Sequence, residues 1–376
     1  MTTDIESPYL LTPGPLTTSS ETKQVMLRDW GSRDAAFIRI NRELRAHVVS
    51  IAGGGDDLTC VPVQGSGTFA VEAMLAGFVP RDGKILLVIN GAYGHRMAKI
   101  CDYLGRDFLI YETPEDTPPD PAAISDRLAV DSKITHVAIV HCETTSGILN
   151  PIEAVAAAVA GQGRRLLIDA MSSFGALPLD MGQVACDAVA ASANKCLEGV
   201  PGIGFVVCRE AALSKTKGNA HSLSLDLYDQ WHAMEGNGQW RFTPPTHVVA
   251  ALHQALAEHV AEGGVAGRGA RYRRNCDVLV AGMRAMGFET LLPDALQAPI
   301  IVTFHMPIDP AFNFQVFYDR LAAKGYVIYP GKLAAADSFR IGCIGRLDET
   351  VIGGAVDAIR ETLKQMGVQR CGPLAA

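Results

Sequence analysis

The chain has 376 residues, 48% apolar and 19% charged, an ordinary globular composition that is long enough for two or three domains and excludes wholesale disorder. With 33 basic against 40 acidic residues the formal charge is −7, which argues against a nucleic-acid or anionic-membrane surface. Nine cysteines, scattered without CxxC or Cys/His ligand spacing, read as buried, reduced thiols and provide no metal centre.

Residues 1–20 lack periodicity and contain Leu-Leu-Thr-Pro-Gly-Pro-Leu (10–16), whose prolines predict an extended arm. Two acids occur in the first six residues and the first base is Lys23, so no signal peptide is expected. From about 58 to 209, short apolar runs alternate with helical patterns. Strands are expected at Leu58–Gln64, Lys84–Asn90, Asp107–Glu112, Thr135–His141, Arg165–Ala170 and Gly204–Arg209. Helices are expected at Phe69–Ala76, Gly94–Leu104, Pro121–Ala129 and Ile152–Ala160. This alternation predicts an α/β fold with a mostly parallel central sheet covered by helices on both faces.

Residues 210–247 are less regular. A helix follows at Val248–Glu262, with Leu252, Leu256 and Val260 on one face. The remainder reads helix 268–286, strand Pro299–His305, helix Phe314–Lys324, strands Tyr326–Tyr329 and Phe339–Ile341, and helix 350–366, a smaller α/β unit. The domain expectation is therefore an arm over 1–20, a large unit over 21–247, and a linking helix with a small unit over 248–376. Arginines 268, 271, 273 and 274 form the only basic cluster, expected to be a solvated helix face. No apolar run approaches the length of a membrane span, and a cytoplasmic location is expected.

Three constellations carry chemistry together. Gln64-Gly65-Ser66-Gly67-Thr68 lies between a strand and a helix, where glycines and free amides suit either a phosphate or a plain tight turn. The same run fits a dinucleotide fingerprint, but the next strand ends in Asn90 rather than an acid, which disfavours NAD. Asp169 ends a buried strand, where open α/β sheets bind ligands. Lys195 is embedded in Ala-Ser-Ala-Asn-Lys, out of place in a surface charge pattern. A phosphate cradle, an acid and a sheltered amine are the parts that pyridoxal phosphate needs: a lysine to attach to, a carboxylate for its ring nitrogen and donors for its phosphate. Tyr93, after the strand ending at Asn90, offers a ring for stacking. Arg340, flanked by apolar residues, suits a carboxylate or phosphonate, with a buried ion pair as the bland alternative. His141 is expected to be structural.

The stretches YLLTPGPLTTS (9–19), QGSGTFAVEAML (64–75), NGAYGHRM (90–97), HCETTSGILNP (141–151), DAMSSFGALPLD (169–180), SANKCLEGVPG (192–202), VIYPGK (327–332) and FRIGCIG (339–345) resemble the class V aminotransferases of the pyridoxal phosphate fold type I superfamily. The more restricted SLSLDLYDQW (222–231) and QWRFTPPTH (239–247) imply an aminophosphonate donor, pyruvate as acceptor and a place in phosphonate degradation. The alternative is another class V transaminase, such as an alanine–glyoxylate or serine–pyruvate enzyme. A cysteine desulfurase fits less well, because Cys343 lies in a strand region, and a non-catalytic regulator would need a partner domain that is not visible.

Carried over by position, the resemblance implies Lys195 as the attachment lysine and Asp169 as the partner of the ring nitrogen. Ser66, Gly67 and Thr68 would hold the phosphate, Tyr93 and Met171 the two ring faces, and Thr144 the ring hydroxyl, with Ser192 and Asn194 adjoining. Thr243 would reach the phosphate of a neighbouring subunit, implying a homodimer with shared sites. Arg340 would bind the acidic end of both substrates, with Gly14 beside them. The run Asp29–Ala36 departs from the family's pattern of acids; Arg33 there either adds positive charge for a dianion or is a surface arginine.

Overall fold

The inner strands of the central sheet are apolar on both faces, and the computed structural model, which describes residues 7–331, 333 and 337–372, shows why. In β2 (Lys84–Ile89), Leu86 and Val88 join one buried cluster while Ile85, Leu87 and Ile89 join another. The alternation repeats in β4 (Ile134–Val140), β5 (Arg165–Asp169) and β6 (Ala188–Ser192), so the sheet is the middle layer of three. With β1 (Leu58–Gly65), β3 (Asp107–Glu112) and β7 (Gly202–Arg209) it has seven strands in the order β1-β7-β6-β5-β4-β2-β3. Only β7 runs against the rest, pairing antiparallel with both β1 and β6.

Helix α1 (Ala35–Ile51) lays Phe37, Ile40, Leu44 and Val48 on one face of the sheet, beside Leu252 and Leu256. Helices α2 (Gly67–Phe78) and α3 (Ala92–Tyr103) cover the other face. A second sheet, β8 (Ile301–His305), β9 (Tyr329–Pro330) and β10 (Ser338–Gly342) in the order β8-β10-β9, packs with helices Phe314–Ala323 and Glu349–Met366. The segment before residue 20 is tied to this second sheet region: Tyr9 and Leu10 pair in parallel with Tyr326 and Val327, and Leu11 accepts the amide of Gly342 at 2.9 Å.

The structure corrects several expectations. Strand β6 and helices α1 and Leu227–Asn237 lie where no regular element was expected. The run 326–329 is broken into Tyr326–Val327 and Tyr329–Pro330. Helix α4 (Thr246–Ala261) buries Leu252 and Leu256, but Val260 is 53% exposed because two i+4 steps rotate it off the face. The arginine cluster divides: Arg273 and Arg274 are exposed, whereas Arg268 is fully buried and Arg271 nearly so. All nine cysteines are buried free thiols. Among the described residues no helix is long and apolar enough to cross a membrane. Lys332, at the end of VIYPGK, lies outside the described residues.

Candidate active site

Because six strands point the same way, their carboxyl ends share one edge of the sheet, and this edge collects the expected chemistry. There β1 delivers Ser66–Thr68, β2 delivers Asn90–Tyr93, β4 leads to His141–Thr145, β5 ends in Asp169 and β6 leads to Asn194 and Lys195. The segments are stitched together: His141 donates its amide to the Asp169 carbonyl at 2.8 Å, and Ala170 donates to Ala190 at 2.9 Å. His141 is buried against the Ser173 hydroxyl at 2.9 Å, and burial drives its pKa down to about 4, so it is a neutral structural side chain.

Lys195 is 8% exposed, and its Nζ donates to the Pro13 carbonyl. Burial pushes the ammonium pKa below its ordinary value, and the acidic groups Tyr93, Cys196, Asp169 and Cys142 only partly oppose this. Gly14 presses on the same side chain: with φ +114°, a Cβ there would stand 2.8 Å from both the Asn194 carbonyl oxygen and Lys195 Cδ. Asp169 is buried too, and burial raises its carboxyl to about 6. Its Oδ1 accepts the Met171 amide at 2.9 Å, which works in the opposite direction. No described side chain or amide donates to Oδ2.

Around this pair the cradle is tight. Ser66 caps α2 without a side-chain hydrogen bond to it, so the first amides of that helix stand free at its positive end. A Cβ on Gly67 would lie 2.3 Å from Met171 Sδ, so only glycine admits Met171 there. Arg96 donates to the Thr68 hydroxyl at 3.2 Å and lies 4.6 Å from the Tyr93 ring centroid, covering one face of that ring. Arg340, 1% exposed, projects from β10: Nη1 donates to the Thr144 carbonyl at 2.8 Å and Nε to Pro330 at 3.2 Å. No described carboxylate pairs with it, which sets aside the buried ion pair; burial lowers its pKa.

Sequence reasoning missed Glu143. Its carboxylate is fully buried under the start of α3, accepting the amides of Tyr93 at 3.2 Å, Gly94 at 3.3 Å and Thr145 at 3.1 Å, and the Thr145 hydroxyl at 2.7 Å. It caps the helix that carries Tyr93 from another segment. Burial raises its pKa against those four bonds. Arg96 was missed as well; its spacing three residues after Tyr93 was the available signal.

Two expected residues lie elsewhere. Thr243 is exposed on a 540 Å³ cleft shared with Gln64, Gly65, Phe69, Trp240 and Phe242, and Arg33 borders a neighbouring cleft with Trp240 and Thr243. Neither contacts Lys195, Asp169 or Arg340 within one chain. Ser192 is buried on β6 opposite Gly204, and Asn194 is half-buried beside Gly14.

The residues fit pyridoxal phosphate on three observations: a sheltered lysine of lowered proton affinity, a buried carboxylate with one oxygen unused, and uncapped amides at the start of α2. The family model for "Aminotransferase class-V" matches residues 19–316. A 2-aminoethylphosphonate–pyruvate transaminase of Pseudomonas fluorescens is 56% identical over 97% of this chain and 99% of its own. One of Rhizobium meliloti is 54% identical over 98% of this chain and 96% of its own. Among solved structures, the ureidoglycine–glyoxylate aminotransferase of Bacillus subtilis superposes with a TM-score of 0.88 at 22% identity, covering 96% of this chain and 94% of that one. The pyridoxamine–pyruvate aminotransferase of Mesorhizobium loti gives 0.87 at 24% identity over 96% and 94%.

Proposed function

Because the chain belongs to the class V aminotransferases, we propose that it moves the amino group of 2-aminoethylphosphonate to pyruvate, giving phosphonoacetaldehyde and L-alanine. The observation that carries the substrate is the likeness to transaminases of that name at 53–56% identity along nearly the whole chain. The cofactor is pyridoxal phosphate, which supplies, when bound, an electron sink for the negative charge developing at the amine-bearing carbon.

The chain's own residues do the rest. Lys195 would be the attachment amine and would carry a proton to and from that carbon, a task suited to an amine whose burial lowers its proton affinity. Asp169 would hold the ring nitrogen through Oδ2 and keep it cationic. The opening amides of α2, with Ser66, Gly67, Thr68 and Arg96, would hold the phosphate, and Thr144 the ring hydroxyl, with Ser192 and Asn194 adjoining. Tyr93 and Met171 would enclose the ring. Arg340 would take the phosphonate in one half-reaction and the carboxylate in the other, with Gly14 toward the substrate mouth and Arg33, like Thr243, reaching it only from a neighbouring copy.

We further propose a homodimer in which Thr243 serves the neighbouring site. Phe242, 51% exposed, and Phe69, 47% exposed, flank it on the cleft and favour cover by a second copy. Units 21–247 and 248–376 then carry the cofactor and the acid-binding arm, in a cytoplasmic enzyme. The test is a panel of amine donors with pyruvate, run beside Lys195→Ala. 2-Aminoethylphosphonate should rank first and the lysine variant should lose the visible band. A preference for serine, or for alanine with glyoxylate, overturns the substrate, and an unchanged band overturns the lysine.

A further inference from the structure

Glu198, three residues after Lys195, has φ 59°, the only left-handed conformation outside glycine among the described residues. Such a backbone is disfavoured for a branched or long side chain and persists only where the surroundings hold it. Here three donors converge on its Oε1: the Tyr272 hydroxyl at 2.6 Å, Arg271 Nη2 at 2.7 Å and Arg268 Nη1 at 3.5 Å. The Glu198 amide in turn donates to the Lys195 carbonyl at 2.8 Å, and Arg268 Nη1 donates to the Cys196 carbonyl at 2.6 Å. The turn bearing the lysine is therefore gripped at Cys196 and at Glu198.

The grip comes from helix α5 (Gly264–Ala285), whose residues 268, 271, 272 and 275 share one face at i, i+3, i+4 and i+7. That face also holds a second segment. Arg271 Nη1 donates to the carbonyls of Gly345 at 2.6 Å and Leu347 at 2.8 Å, Tyr272 Oη accepts the Gly345 amide at 3.2 Å, and Asn275 donates to Cys343 at 3.0 Å. Cys343 directly follows β10, which carries Arg340. Glu262 locks the two guanidiniums together, taking Arg268 Nε at 2.6 Å and Arg271 Nε at 2.7 Å. Buried charges of this kind contribute little net stability. This cluster also leaves Glu198 Oε2, Arg268 Nη2 and Asn275 Oδ1 buried with no partner among the described residues. Its yield is geometric.

We propose that this face is a positioning device: Glu198, Arg268, Arg271 and Tyr272 hold the lysine turn and the Arg340 strand in one register and so fix the span between the Lys195 amine and the Arg340 guanidinium. Each substrate must reach both groups at once, and the phosphonate lies one carbon farther from the reacting amine than the pyruvate carboxylate does. An error in the span therefore slows both half-reactions. The inference rests on Lys195 and Arg340 having the roles proposed above.

The experiment is Glu198→Gln in the cofactor-loaded enzyme, with single-turnover rates for each substrate and a pH titration of the visible band. Both rates should fall by about tenfold or more, and by a similar factor. The band's midpoint should move down by about half a pH unit, because two buried guanidiniums lose a counter-charge beside the lysine turn. The groups that face Lys195 itself, Tyr93, Asp169, Cys142 and Cys196, are unchanged in this variant. A lower melting temperature with rates and midpoint within about twofold and 0.2 unit of the parent overturns the proposal, as does a loss confined to one substrate. If Glu198→Gln does not fold, Tyr272→Phe decides, since it removes one hydroxyl; it should slow both half-reactions about threefold. Loss of the band in Lys195→Ala tests the underlying lysine assignment separately, because Glu198→Gln keeps the band and shifts its titration.

Discussion

Replacing Arg340 by alanine probes the substrate reading most directly, and the structure gives its size. Two of the five guanidinium hydrogens are spent on Thr144 and Pro330. The remaining three, one on Nη1 and two on Nη2, are enough to place two bonds on one acid group. Two charge-assisted bonds at ~1.5–3 kcal/mol each amount to about 3–6 kcal/mol, or about 10²- to 10⁴-fold in kcat/KM. The loss should appear in both half-reactions, followed separately by the visible absorbance of the loaded enzyme with 2-aminoethylphosphonate or with pyruvate. Arg340→Lys, which keeps the charge and loses the fork, should fall between parent and alanine variant. A loss below about tenfold for either substrate refutes the shared acid site.

Glu262→Gln tests the charge on the cluster. Burial alone would raise the Glu262 carboxyl, but bonds to Arg271 and the charges of Arg268 and Arg271 outweigh it and lower the pKa from 4.5 to about 2. A depressed carboxyl contributes stability above its unfolded pKa and loses it as pH falls through the folded value, so the variant should be less stable by ~3 kcal/mol at pH 7 in urea unfolding. The gap should narrow by about 1 kcal/mol by pH 3.5, and a pH-independent gap contradicts the pairing. Gly14→Ala forces a Cβ against the Asn194 carbonyl at a positive φ. It should cost ~2 kcal/mol and loosen the cofactor; retention of cofactor through dialysis as in the parent would show that the arm does not clasp the lysine.

Much of the central sheet was legible because strands such as Lys84–Ile89 and Ile134–Val140 are compact runs of branched apolar residues. Strand β6 was not, since Ala-Val-Ala-Ala-Ser has little β preference and becomes a strand through its place between β5 and β7. Helix α1 did carry a signal, with Phe37, Ile40, Leu44 and Val48 at helical spacing. Asp169 and Lys195 stood out because a charge beside small or apolar residues breaks the surface pattern. Glu143 did not, because its partners are amides and one hydroxyl, and amides leave no mark in the sequence. The arginine cluster misled for a related reason: whether a basic helix face is solvated depends on carboxylates elsewhere, here Glu198, 70 positions before Arg268.

The pairing of Tyr9 with Tyr326 and of Leu11 with Gly342 has a consequence for biosynthesis. At ~5–20 residues per second, the leading segment waits roughly 15–65 s on the ribosome before its binding strands exist. The seven-stranded sheet can assemble during that interval, but the Pro13 carbonyl and Gly14 cannot be held against Lys195 by that anchorage until the chain through Gly342 has emerged. Closure of the arm over the candidate site therefore waits on the second sheet, not on the first.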